Sequence, residues 1–174
     1  MATITELLIA ELEREMPGTR TTLERVPEGR NDWKPHPKSM ELGYLAGLVA
    51  VMPRWIVSVI EEPHLDLAAA GANQSGALDS TSALLALFDR GVTEARAALE
   101  RTNDEHLLGT RWKLLMKGQT LLDQPRYQAL RDGVMNHLYH HRAQLTIYLR
   151  LNDKPVLGLY GPSADDREAA GRPG

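Results

Sequence analysis

The 174-residue chain has no cysteine, is 43% hydrophobic and 25% charged, and carries a formal net charge of −3. That size and balance suit one globular domain and exclude disordered and collagen-like classes. Twenty Lys and Arg against 23 Asp and Glu argue against a general nucleic-acid binder, and the missing thiols exclude disulfides, CxxC redox chemistry, a cysteine nucleophile and thiolate ligands.

The first helix is expected from about Ile4 to Glu24, on the stripe Leu7, Leu8, Leu12, Met16 and Leu23. Pro17-Gly18 should kink or break it. Leu7-Leu8-Ile9-Ala10 is too short an apolar run for a signal peptide. In the loop Arg30 to Lys38, Pro35 and Pro37 exclude a helix, and Trp33 is the anchor that would order it. Ser39 is the expected N-cap of a second helix, which continues to Glu61 or Glu62 before Pro63.

This second helix is apolar almost all round. Leu42, Leu45, Leu48, Val49, Met52, Trp55, Ile56 and Val59 share a broad face, and Gly43, Ala46, Gly47 and Ala50 form a strip of small residues. Two readings stay open for the strip: the first helix packs there, or a second copy meets it about a two-fold axis. A membrane span is disfavoured. Arg54 lies well inside the segment, and a central charge in a lone span costs about 2.5–3.5 kcal/mol.

Leu65 to Asp79 reads as a connector, with Asp79 at the mouth of the third helix. That helix carries Leu84, Leu87, Phe88, Val92, Ala95 and Leu99 and ends around Arg101 to Asn103. Thr110 to Leu122 reads as an irregular hairpin or extended lid. The fourth helix begins near Pro125 and runs to about Leu151. Beyond Pro155 the chain is a tail whose polar end should fray. The reading is all-α: a four-helix bundle with a short irregular or extended segment before the last helix, as a single domain (about 1–155 bundle, 156–174 tail).

The chemistry concentrates on the fourth helix. Its core stripe is Tyr127, Leu130, Val134, Leu138, His141, Leu145 and Tyr148, with His137 at the edge. His137 and His141 are four residues apart, so both rings share one face and are spaced to chelate a divalent metal. A pair of hydrogen-bonded core-edge histidines has the same spacing. A catalytic zinc site takes three protein ligands and a water. Leu48, on the inner face of the second helix, occupies the natural third place and cannot ligate; His36, His64 and His106 lie in or near loops. Trp55, Arg142, Gln144 and Tyr148 are pocket or dimer candidates, against roles in packing.

Three blocks resemble the DinB/YfiT-like family of bacterial four-helix-bundle proteins. They are Trp33 to Met40 leading into Leu42 to Gly47 with Met52 to Trp55; Asn136-His137 through Leu145 and on to Arg150; and Pro155-Val156 with Tyr160 to Asp165. The resemblance covers about Trp33 to Asp166. A cytoplasmic home fits the chain, and the family's damage-inducible name describes expression rather than chemistry. The resemblance implies a fold that is commonly a homodimer and a nickel or zinc ion held by three histidines. His137 and His141 match two of these, and the third falls where this chain has Leu48. Characterised members include thiol S-transferases, which use low-molecular-weight thiols such as bacillithiol or mycothiol, and a maleylpyruvate isomerase. Two readings follow: a divalent-metal-dependent enzyme, or a metal-free, non-catalytic bundle that binds a small molecule or serves in stress response.

Overall fold

The computed structural model describes residues 2–68, 77–78 and 80–171. Helix α1 (Ile4–Glu24) starts on a capping box: the Thr3 hydroxyl accepts from the Glu6 amide, and the Glu6 carboxylate accepts from the Thr3 amide. The break expected at Pro17-Gly18 does not occur. Leu12, Met16, Thr19 and Leu23 are buried on both sides of the proline. Packing of that stripe outweighs the roughly 3 kcal/mol cost of an interior proline. Gly18 lies close under the tail: an added Cβ would stand 2.7 Å from Leu159 Cδ2, the tip of a side chain that would have to move aside.

Helix α2 (Leu42–Glu61) is not capped by Ser39. Its N-cap is Glu41, with no side-chain cap bond. The loop before it supplies the acceptors instead: the Leu42 amide donates to Trp33 O at 2.8 Å and the Gly43 amide to Asn31 O at 3.0 Å. Trp33 itself meets Tyr148 edge-on, with ring centroids 5.5 Å apart, so the proline-rich loop is anchored as expected.

The all-α expectation is corrected by a small sheet. Strand β1 (His64–Asp66) pairs in parallel with β2 (Arg111–Met116), which pairs antiparallel with β3 (Gln119–Pro125). The hairpin turn holds Lys117 and Gly118, both at positive φ, the two-residue geometry favoured by twisted strands. The Asp66 carboxylate accepts from both turn amides, at 3.0 and 2.7 Å, and so ties β1 to the hairpin.

Helix α3 (Thr81–Arg101) is N-capped by Ser80; Asp79 lies outside the described residues. A short helix, α4 (Asp104–Gly109), follows an Asn103 cap. The last long helical stretch begins at Pro125 as expected. It comprises α5 (Arg126–Gln128), a π-helical segment (Ala129–Asn136) and α6 (His137–Leu151). The expected fraying of the tail does not hold through α7 (Ala164–Ala169), which has its own capping box from Ser163 and Asp166. Asp165 anchors it by accepting from Arg150 and from the Val156 amide.

Helix α1 packs on α3 and α6, and α2 packs on α3, α6 and the π-helical segment. One apolar cluster draws on all of them. Gly43, Ala46, Gly47 and Ala50 are all buried within the single chain. The neighbour along α2 is α3 rather than α1: a Cβ on Gly91 would stand 3.4 Å from the Arg54 amide nitrogen. Small residues let these two backbones close on each other. Helix α2 is long and apolar enough to cross a membrane, but 72% of its most apolar window is buried inside the protein. It is a core helix.

A histidine pair beside an apolar cavity

Helix α6 and the π-helical segment run antiparallel to α2. Arg126 reaches the C-terminal end of α2, Trp55 meets His137 with ring centroids 5.9 Å apart, and the Tyr148 hydroxyl donates to Met40 O ahead of the α2 N-terminus. This registry sets Leu48, two turns before Trp55 and 6% exposed, near the level of His141.

His137 and His141 turn their Nε2 atoms toward each other, 2.8 Å apart. Their outer nitrogens meet oxygens: His141 Nδ1 lies 2.7 Å from Gln144 Oε1, and His137 Nδ1 lies 3.3 Å from Gly133 O. The irregular winding makes the second contact available. The His137 amide donates to Val134 O, which leaves the Gly133 carbonyl to the imidazole. π-Helical turns are often found at functional sites.

These contacts set a proton count. Each oxygen accepts, so each Nδ1 has to donate, and the bond between the Nε2 atoms needs one proton more. Two neutral imidazoles carry two protons for three contacts. One added cation, shared between the Nε2 atoms, completes the set. Burial opposes it. It pulls the pKa of His137 below the ordinary value, only partly offset by the Gly133 carbonyl, and His140 lowers it further. Burial likewise lowers His141, against the Gln144 contact and with help from His137 and His140.

The spacing approaches that of a metal pair, but the number of donors falls short. Two nitrogens about 2.0–2.1 Å from a tetrahedral ion stand about 3.3 Å apart, about half an ångström beyond the 2.8 Å seen here. Among the described residues, however, no three His, Cys, Asp or Glu side chains cluster to hold an ion. Leu48 adds none, so the three-histidine centre implied by the resemblance is one ligand short.

Beside His137 a cavity of about 180 Å³ lies between α2, the sheet and the π-helical segment. Trp55, Val59, Leu65, Trp112, Leu122 and His137 are among its walls. Among the described residues, no Lys, Arg, Asp or Glu lines it. Trp112 was not anticipated as a site residue. Its place follows from the pairing of β2 with both neighbours, which no local spacing reveals.

The other candidates stand apart from this cavity. Arg142 is 2% exposed. It donates to the Glu15 carboxylate at 2.8 Å, to Thr19 Oγ1 at 2.9 Å and to Tyr160 Oη at 2.5 Å. Its guanidinium also lies 5.1 Å from the Tyr139 ring centroid. Burial pushes the Glu15 carboxyl up, but hydrogen bonds from Tyr160 and Arg142, with the Arg142 charge, leave it below its ordinary value. Arg142 therefore pins α6 to α1 and the tail. Gln144 orients His141, and Tyr148 is core. Arg126, missed in the sequence, is 7% exposed and donates to Val59 O, Glu62 O and Thr110 Oγ1. It closes the C-terminal end of α2.

The fold is that of DinB-like proteins. A DinB-like protein from Bacillus cereus superposes with a TM-score of 0.70 at 20% identity, covering 91% of this chain and 98% of that one. A second, YjoA from Bacillus subtilis, superposes at 0.66 and 19% identity, covering 90% and 99%. No family model and no curated protein matches the chain.

Proposed function

We propose that this protein is a cytoplasmic DinB-like bundle that binds a small molecule in the cavity beside a metal-free histidine pair. The observation that carries this reading is the donor set: two histidine nitrogens, already hydrogen-bonded to each other, with a buried leucine at the third family position. The contacts to His141 and to Gly133 O fix the orientation of His137 against whatever occupies the cavity.

A second reading, a divalent-metal-dependent enzyme such as a low-molecular-weight-thiol S-transferase, is favoured by the convergence of the two Nε2 atoms. Metal analysis of untagged protein decides between them. The expected result is well under one equivalent of nickel or zinc, unchanged in His137→Ala and His141→Ala. About one equivalent in the native protein, lost in both variants, overturns the metal-free reading. Leu48→His is the converse probe and is expected to raise zinc affinity.

A further inference from the structure

We propose that the cavity beside His137 takes a neutral molecule about the size of a single substituted aromatic ring, bearing one hydrogen-bond acceptor. This rests on reading the cavity as a binding site and goes further by naming the class of occupant. Size comes first. A dry apolar cavity of about 150 Å³ is known to hold benzene, and this one measures about 180 Å³. A ring with one small substituent fills it, whereas drug-sized ligands occupy roughly 300 Å³ or more.

Charge comes second. The walls offer aromatic and aliphatic surface from Trp55, Trp112, Leu65 and Leu122 and, among the described residues, no Lys, Arg, Asp or Glu. An ion entering here would lose its water without a counter-charge. His137, the one titratable wall residue among the described residues, has its Nε2 and Nδ1 engaged with His141 and Gly133.

Hydrogen bonding comes third. Trp112 is 5% exposed, and its indole Nε1 is buried with no partner. Its cross-strand partner Gln124 is 9% exposed and has an unpartnered Nε2. Buried donors are rarely left unpaired. Trp112 lines the cavity, and its unpartnered indole N–H calls for an acceptor there; Gln124 lies beside it on the neighbouring strand.

The probes are phenol, with benzoate and benzylammonium as charged analogues of similar shape. Binding is followed by the indole N–H resonances of the three tryptophans. Phenol should bind saturably, shifting Trp55 and Trp112 but not Trp33, and both ions should bind at least tenfold more weakly. Gly133 lines the cavity, and a Cβ added there meets nothing within 4 Å. Gly133→Leu should therefore fill the cavity and abolish phenol binding. Leu122→Trp, on the hairpin, fills it from the other side should the first variant fail to fold.

Absence of saturable phenol binding overturns the proposal. So does benzoate binding as tightly as phenol, or phenol binding that survives both fillings. None of these outcomes depends on metal content, so failure here is distinguishable from failure of the metal-free reading.

Discussion

His137 and His141 show how a pair of side chains sets a pH response. Both are held below the ordinary imidazole value of 6.5. As pH falls, the unfolded chain therefore takes up protons before the folded one. The stability gained by keeping the rings neutral is complete above about pH 6.5 and is lost as pH drops through the folded values. The urea midpoint should fall between pH 7.5 and 5.5, and a His137→Gln, His141→Gln double variant should flatten that slope. Arg142 makes a different prediction. Removing one partner of a buried ion pair leaves an uncompensated charge, so Arg142→Leu should cost about 3–5 kcal/mol of unfolding free energy in urea titration. The histidine pair was legible because a spacing of four puts two rings together on any helix. The Glu15–Arg142 pair was not, because its members are 127 residues apart and nothing local to either one names the other.

Among the elements, the long helices follow from their apolar periodicity, and the extended stretch before the last helix from its Lys117-Gly118 interruption. What escaped has a common physical cause. Strand β1 spans three residues, His64–Asp66, and exists only because β2 lies beside it. Ser39 lost its capping role to carbonyls of a folded loop. The π-helical segment is invisible to periodicity because Leu130 and Val134 keep the apolar spacing of an ordinary helix. Gly133 within it has no positive φ and no close neighbour. Gly133→Ala should therefore gain about 0.5–1 kcal/mol from the lost backbone freedom of glycine, read as a higher thermal midpoint.

For the whole molecule, the small-residue strip of α2 decides where a second copy does not need to be. Ala50 is fully buried in one chain. Ala50→Leu should overpack the core and cost about 1–3 kcal/mol, equally at low and high protein concentration. A change in mass by light scattering, without loss of stability, would instead place the strip between two chains. The resemblance in the sequence and the superposition of the fold agree on the DinB-like architecture. The cavity was not foreseen, since its walls come from α2, β1, the hairpin and the π-helical segment together.

The parallel pairing of His64 with Lys113 also sets an order of events in time. The hairpin of β2 and β3 closes over two residues, but β1 joins it across a connection that contains α3 and α4. Long closures are entropically costly, and parallel pairings form slowly. Strand β1 is thus expected to be the last wall to arrive in folding and the first to leave in native fluctuations. Hydrogen exchange should find its amides opening well before those of α2. Opening of that kind would gate the cavity at the edge of the sheet, through a three-residue strand, while the helices stay folded.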